Sequence, residues 1–389
     1  MMTGLSGFIN RLSTLTKSRI NESKYTKAFT ILVTLTAVIC IIMEAIIVHS
    51  HVNVYNQLRD DGLIVDVPTT SVDPENNLSA ANEMALSLRR LKNENVFFIL
   101  LSLFQLVLGI DAIVRQSVIQ LMSHTLIQVL AVVFAAIQVG GTIKKNNDVK
   151  TKFPPPEDPK VAWNFGLALR NEIGLVSIMT LFAFIFVYLC WKLYKQFGWN
   201  IYKRIGADIN LQKRFRLAQL YLLNLKLDAF FQLVLCIFYA VVMTQEKYYN
   251  LWGTTNRKFI AYIIHIVLTV LLIPGLLLAR YGVITENKKV MIVFMVTQFI
   301  MCLDFILVLA DSAGSWVFWI LAVCLAISLS ISTFIFSILV SRNFGKGLKP
   351  FMQRLFESDE KKTTDTTYLK SGNEWLIDEE DEYPMANPA

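Results

Sequence analysis

The sequence predicts an all-α, polytopic transmembrane helical bundle of about eight spans, with no soluble domain. Two observations support this fold class. Hydrophobic residues make up 54% of the 389 residues and charged residues only 17%, whereas a soluble domain usually carries about 25% charged residues. The apolar residues also occur in long uncharged blocks and not as one face of a helix or strand. One compact core cannot hide that much apolar surface, so the blocks are predicted to lie in lipid.

The spans are predicted from the lengths of these blocks. A helix needs about 20 apolar residues to cross the roughly 30 Å hydrocarbon layer, because lipid offers no partner for unpaired backbone groups. Only Arg115, Gln116 and Ser117 separate the second block from the third, which predicts a tight hairpin there. The eight predicted spans are residues 29–49, 96–114, 118–141, 173–193, 222–243, 259–279, 290–310 and 315–340.

The segments outside the spans are mostly polar. Residues 1–28 are basic and are predicted to be a cytosolic N-terminal segment, with the first apolar block retained as a signal anchor. A first long loop contains a helix-favouring run at 80–92, and a second contains four prolines at 154–159 that predict an extended cap over the bundle. The tail, 341–389, begins basic and ends acidic, and its low hydrophobicity predicts a largely disordered cytosolic segment.

The distribution of basic residues predicts the orientation. With the N-terminus in the cytosol, cytosolic segments carry 23 Lys and Arg residues and the opposite side carries 13. This excess favours both termini in the cytosol. The sequon at Asn77 then lies in the longest lumenal loop, where N-glycosylation takes place.

Several classes of function are not expected. The net charge of +7 comes from short basic runs between apolar blocks, as in cytosolic loops, so no nucleic-acid partner is expected. The five cysteines lie inside apolar blocks without CxxC pairing, which disfavours a disulfide framework or a metal site. No phosphate loop, nucleophile elbow or HExxH motif is present. We therefore expect a protein that is not an enzyme and that has no cofactor.

Ionisable residues inside spans need a partner, a polar cavity or a place near the interface. Glu44, Asp111 and His265 lie within about two helical turns of a span end. We therefore expect their side chains to reach the headgroups. Asp304 lies roughly 20 Å into its span, where such a reach is harder.

A candidate intramembrane polar site follows from helical spacing. Polar residues recur every four residues in the fifth span, which places them on one face of the helix. Two polar residues of the seventh span complete the candidate set: Asn224, Asp228, Gln232, Gln298 and Asp304. These residues form either a proton or ion path based on Asp228 and Asp304, or hydrogen bonds that fix helix packing.

A segment after the fourth span combines aromatic residues with cations. Trp199, Tyr202 and Ile205 recur every three residues beside Lys203 and Arg204, so an apolar edge can lie at the membrane while the cations bind anionic lipid headgroups. The candidate cytosolic loop motif comprises Gly198, Trp199, Tyr202, Lys203, Arg204, Gly206, Ala207 and Asp208.

This segment, GWNIYKRIGAD, together with LKLDAFF at the start of the fifth span, resembles a fungal family of uncharacterised multi-pass Golgi apparatus membrane proteins. The resemblance extends in layout over about residues 30–345. It implies an all-helical fold and a Golgi membrane location, and it implies no activity, cofactor or catalytic residue.

Three hypotheses for function remain open. The first is a non-enzymatic Golgi or other endomembrane protein in trafficking or membrane organisation, whose partners are the bilayer, anionic headgroups at the cytosolic face and sorting proteins that bind the acidic tail. The second is a proton-coupled or ion-coupled transporter that uses Asp228 and Asp304. The third is a receptor-like protein with seven spans, which would place the two termini on opposite sides of the membrane.

Overall fold

The computed structural model describes residues 16–61, 77–152, 159–205, 209–248, 256–312 and 316–346, and all regular structure in these ranges is helical. Eight helices in this part of the chain are long and apolar enough to cross a membrane, which confirms the predicted fold class. In chain order they are α1 (Lys24–Asp60), α2 (Asn77–Val114), α3 (Val118–Lys152), α4 (Pro159–Ile205), α5 (Ile209–Tyr248), α6 (Asn256–Thr285), α7 (Lys288–Ser312) and α8 (Val317–Ser341).

Helix α1 begins with a reciprocal cap. The side chain of Ser23 accepts a hydrogen bond from the backbone N–H of Thr26 (3.2 Å), and the Thr26 hydroxyl accepts one from the backbone N–H of Ser23 (3.0 Å). The cap satisfies donors that the first helical turn leaves without partners. The start of the first membrane-crossing helix is therefore encoded locally.

Two tight turns connect helices without glycine at the critical position. Gln116 has a φ of 51°, and the N–H of Ser117 donates to the carbonyl of Ala112 (3.0 Å). Glu286, with a φ of 53°, forms the equivalent turn between α6 and α7. These are Schellman-type helix ends, which reverse the chain in two or three residues. The hairpin expected at 115–117 is thus present.

The eight helices form two rings of four. In the first ring, α1 packs against α2 and α4, and α3 packs against the same two helices. In the second ring, α5 packs against α6 and α8, and α7 packs against the same two helices. We call the side where α1 begins the near side and the opposite side the far side. The first helix of each ring, α1 and α5, begins at the near side. In each ring, every helix packs against the helices that precede and follow it in the chain, and the fourth packs against the first.

Aromatic side chains join the rings. Phe318 of α8 packs against Phe97 of α2 and Phe134 of α3, with ring centroids 5.6 and 5.2 Å apart. Phe104 of α2 stacks on Phe230 of α5 at 4.3 Å. In lipid, the hydrophobic effect does not drive helices together, so helix association depends on close packing. Contacts between aromatic rings contribute to this packing. The core is therefore continuous between the rings.

The helices of the first ring are longer than their predicted spans. Helix α1 continues eleven residues past position 49, about 16 Å at the rise of an α-helix. The extensions pack around their own apolar core on the far side: Val54, Leu58, Ala85, Leu88, Val149 and Phe165. The extended cap expected at 154–159 is wrong at Pro159, which is the first residue of α4, where proline breaks no helical hydrogen bond. The prolines at 154–156 lie outside the described residues.

The outer faces of the spans are apolar and exposed. Phe184, Val270 and Leu307 are 72%, 68% and 68% exposed in the isolated chain. Exposed apolar patches of this extent are unfavourable in water and favourable in lipid. The bundle therefore resides in a bilayer.

Candidate functional site

The first ring encloses a cluster of polar side chains, which we call the acidic chamber. It lies where the predicted spans end on the far side, and each of its members is at most 4% exposed. All four helices of the ring contribute to it. Its members are Glu44 and His51 of α1, Glu94 and Asn95 of α2, Gln138 and Thr142 of α3, and Glu172 of α4.

A chain of polar contacts crosses the chamber from α3 to α4. Gln138 donates its amide N–H to Asn95 Oδ1, and Asn95 Nδ2 lies 2.9 Å from His51 Nδ1. Since the Asn95 amide nitrogen is a donor, His51 Nδ1 accepts, and a neutral His51 carries its proton on Nε2. That Nε2 lies 3.6 Å from Glu172 Oε1, which also accepts the Thr142 hydroxyl at 2.7 Å. The proton on His51 is therefore directed towards the Glu172 carboxyl group.

The carboxyl groups of the chamber lack full sets of partners. No hydrogen bond of good geometry reaches either oxygen of Glu44, although the Gln138 amide lies beside this carboxyl group. One oxygen each of Glu94 and Glu172 has no hydrogen-bond partner. Glu44 is also within electrostatic range of both other carboxyl groups. Three adjacent charges of one sign are unfavourable in a dry interior. Protons or water molecules in the chamber would relieve this repulsion.

This arrangement corrects the expectation for Glu44. Its position near a span end predicted a side chain at the headgroups, but the side chain is fully buried. The face of α1 that carries Glu44 points into the ring, and distance along the helix axis gives no information about that rotation.

The second ring brings together four of the five residues of the candidate intramembrane site. Gln298 donates one amide N–H to Asp228 Oδ2 (3.2 Å) and contacts Ser330 Oγ at 2.9 Å. Gln232 lies beside the same Asp228 carboxyl group. Asn224 donates to Ser332 Oγ at 2.7 Å, one turn towards the near side. Helices α5, α7 and α8 are thus joined by a polar layer.

Asp304 does not join that layer. Its Oδ2 lies 2.7 Å from His265 Nδ1, and His265 Nε2 lies 3.0 Å from the Cys236 carbonyl oxygen. His265 is 1% exposed, so the expectation that it reaches the headgroups is wrong. The face of α6 that carries it is covered by α5 and α7. Asp228 and Asp304 therefore belong to two separate polar contacts.

Asp111, the third residue expected near the headgroups, is partly exposed at the near side. Its two oxygens each lie 2.6 Å from a cation, Arg115 Nε on one side and Lys226 Nζ on the other. Lys226 is the basic residue inside the fifth predicted span, so this ion pair compensates a charge within the apolar segment.

The cytosolic loop motif falls largely outside the described residues. The backbone of α4 continues as helix to Ile205, so the first part of the motif is helical and not a loop. Gly198 is described, and a Cβ atom added to it would have no neighbour within 4 Å. The side chains from Trp199 to Asp208, that of the sequon residue Asn77, and the acidic tail lie outside the described part of the chain.

Sequence reasoning missed most of the acidic chamber. Glu94 and Glu172 lie one or two residues outside the predicted spans and were therefore counted with the loops. A signal was nevertheless available, because Glu44 and His51 are seven residues apart and lie on one helical face. Within the described residues, no group of three or more His, Cys, Asp and Glu side chains has the arrangement of a metal site.

Two rings of apolar helices, each with polar groups sealed inside it, define a multi-pass α-helical membrane protein. The chain is distantly similar in sequence to a UPF0658 Golgi apparatus membrane protein of Schizosaccharomyces pombe, with 26% identity over 144 residues. The match spans 37% of this chain and 35% of the relative. It agrees with the family resemblance noted in the sequence. No family model and no solved structure matches the chain.

Proposed function

We propose that the chain is a non-enzymatic, proton-coupled carrier of the Golgi or a neighbouring endomembrane, and that its first ring provides the proton site. The observation that carries the proposal is the acidic chamber, above all the Glu44 carboxyl group, which is fully buried within electrostatic range of Glu94 and Glu172. The Golgi location is supported by the name of the fission yeast relative.

The chamber has the parts that proton binding needs. Buried Asp, Glu and His chains are typical of proton relays in membrane carriers, because an ionisable group inside a membrane is costly and is kept where it has a partner or a function. Glu172 and His51 face each other at 3.6 Å, within reach of each other through a small movement or one water molecule.

The proposal changes the roles of the residues predicted from the sequence. Asp228 binds Gln298, and Asp304 binds His265, so each has a packing partner within the second ring. We assign them to the cohesion of that ring and not to the proton path. The described residues contain eight helices long and apolar enough to span a membrane, which disfavours the seven-span receptor hypothesis. A trafficking role through the loop motif and the acidic tail stays a prediction from the sequence.

The test is proton flux into liposomes that contain the purified protein and a trapped pH-sensitive dye. With an imposed pH gradient, we expect Glu44→Gln and Glu172→Gln each to reduce the protein-dependent proton flux at least tenfold. The reason is that a glutamine amide, unlike a carboxyl group, does not bind and release a proton near neutral pH. A tenfold loss corresponds to a rise of ~1.4 kcal/mol in the barrier to transport. Asp60→Asn is the matched control, since the Asp60 side chain is 71% exposed outside the chamber.

Asp228→Asn distinguishes a proton site in the acidic chamber from the path through Asp228 and Asp304 that was predicted from the sequence. If proton flux depends on the acidic chamber, Asp228→Asn retains wild-type flux, provided that the variant elutes as a monodisperse peak in detergent. Wild-type flux in both chamber variants, or loss of flux in Asp228→Asn alone, would refute the assignment of the proton site to the first ring.

A further inference from the structure

Trp316, the residue that directly precedes α8, connects the second ring to the acidic chamber. Its indole N–H donates a hydrogen bond to Glu94 Oε1. Glu94 belongs to α2 in the first ring, whereas Trp316 forms the N-terminal end of α8 in the second. The contact lies on the far side, where α8 begins. A carboxyl group of the proposed proton site is therefore held by a side chain of the neighbouring ring.

Charged residues lead from Trp316 outwards to the far surface. Arg90, one helical turn beyond Glu94 on α2, places its Cζ atom 5.7 Å from the centroid of the Trp316 ring. Arg90 Nη2 lies 3.1 Å from Glu246 Oε1, and Lys258 Nζ lies 3.9 Å from Glu246 Oε2. The side chains of Glu246, Arg90 and Lys258 are 14%, 20% and 38% exposed, whereas Glu94 is 4% exposed. Exposure to solvent thus rises from the chamber towards the far side.

The indole of Trp316 cannot itself pass a proton along this path. A tryptophan side chain has one N–H donor and no acceptor, so it cannot take up a proton from one neighbour and give it to another. The ring is also held in place by Trp319, which stacks on it with the ring centroids 5.3 Å apart. Proton exchange between Glu94 and water on the far side therefore requires that the indole moves aside.

The strength of the Trp316 contact depends on whether Glu94 carries a proton. Hydrogen bonds to an ionised acceptor are roughly twice as strong as those between neutral groups. Other titratable groups within electrostatic range of Glu94 are Glu44 on α1, Lys145 on α3 and Glu172 on α4. The charge on Lys145 favours an ionised Glu94, and charges on the two glutamates favour a protonated one. Proton binding to Glu94 weakens the contact, so the indole is released more easily.

We propose that Trp316 is the far-side gate of the proton site. Its indole closes the acidic chamber while Glu94 is ionised and moves aside when Glu94 binds a proton. This inference rests on the proton site proposed above and adds the route by which protons enter and leave. Because the gate belongs to the second ring, proton binding in the first ring changes a contact between the rings. A carrier needs such a link between ion binding and the movement of one helix bundle against another.

The access of water-soluble reagents to Glu94 tests the gate in the full-length protein in detergent. The probe is a water-soluble carbodiimide with glycine ethyl ester, and modification of each carboxyl group is measured by peptide mass spectrometry. We expect Trp316→Phe to increase modification of Glu94 about tenfold, as for the loss of one charge-assisted hydrogen bond. Trp191→Phe is the matched control, because Trp191 is 52% exposed and lies nineteen residues, about 28 Å, along α4 from Glu172.

Asp228 provides an internal control for folding, because it is fully buried in the second ring. Its modification should be the same in Trp316→Phe and in the wild type. The gate is overturned if modification of Glu94 does not rise above that in Trp191→Phe. It is also overturned if Asp228 and Glu94 become accessible to the same degree, because the effect is then a general loosening of the protein.

Quenching of Trp316 fluorescence by acrylamide tests the link to protonation. The emission of Trp316 is the difference between a protein and the same protein with Trp316→Phe. We expect quenching of this emission to increase as the pH falls, because protonation of Glu94 weakens the hydrogen bond to the indole. In Glu94→Gln, which cannot ionise, quenching should not change with pH; the same pH dependence as in the wild type would contradict the proposal. Neither experiment requires transport, so a lack of proton flux in liposomes would refute the proposed function alone.

Discussion

At the scale of the residue, His265 and Asp304 show how two ionisable side chains are accommodated within the membrane-spanning part of the protein. The Cys236 carbonyl oxygen, 3.0 Å from Nε2, can only accept, so Nε2 carries a proton. Nδ1 and Asp304 Oδ2, 2.7 Å apart, therefore share a second proton between them. Whether that proton is on the ring or on the carboxyl group, the pair has no net charge. A neutral, hydrogen-bonded pair avoids most of the penalty of an isolated charge in lipid.

Substitutions at Asp304 test this description. In Asp304→Asn, the amide can donate to Nδ1 of a neutral histidine, so we expect stability within about 1 kcal/mol of the wild type. In Asp304→Leu, His265 Nδ1 loses its partner while buried, which should destabilise by about 1–3 kcal/mol. Thermal unfolding in detergent measures both. Equal stability of the leucine variant would contradict the pairing.

At the scale of the element, Gly109 determines how closely α1, α2 and α3 approach. A Cβ atom on Gly109 would lie 3.0 Å from Val33 Cγ1 and 3.2 Å from His124 Cδ2, closer than nearly all real contacts. Small residues at such crossings allow backbones to approach and so strengthen helix packing in lipid. Gly140 on α3 is different, because a Cβ there has no neighbour within 4 Å.

Valine at each glycine tests this difference. We expect Gly109→Val to destabilise the protein by about 1–3 kcal/mol through overpacking. Gly140→Val should be no less stable than the wild type, because valine has a higher helix propensity than glycine and meets open space. The measurement is the apparent melting temperature by fluorescence-detected size exclusion. Similar losses in both variants would show that the effect is not due to packing at Gly109.

At the scale of the whole molecule, two rings of four helices place both ends of the described chain on one side. Each ring contains an even number of spans, so residues 16 and 346 both lie at the near side. Aromatic contacts of Phe318 with Phe97 and Phe134 join the rings, and so do polar contacts, since the Trp316 indole N–H donates to Glu94 of the acidic chamber. The two rings are therefore parts of one structure.

Epitope tags at the two termini test this arrangement. In sealed membrane vesicles that contain the protein and have the cytosolic face outwards, we expect added protease to remove both tags, because the distribution of basic residues favours the near side in the cytosol. An odd number of spans would leave one tag protected. Protection of both tags would keep the eight-span fold and reverse the orientation.

The sequence by itself determined the class of the protein. Apolar blocks such as 29–49 and 290–310 together exceed what one core can bury, and a helix of this length satisfies its own backbone groups in lipid. The spacing of Asn224, Asp228 and Gln232 likewise predicted one polar face on α5, since the period of a helix is fixed by its own hydrogen bonds. The sequence did not predict that the helices of the first ring extend beyond their apolar blocks, because hydropathy identifies only the apolar part of a helix.

Only the tertiary structure decided which polar groups meet. The Glu44 carboxyl group lies in electrostatic range of Glu94 and Glu172, and Asp304 pairs with His265 and not with Asp228. These contacts join helices far apart in the chain and depend on how far each helix is rotated about its axis. That rotation is set by side-chain packing between neighbours, at crossings such as the one at Gly109, and the periodicity of a single helix carries no information about it.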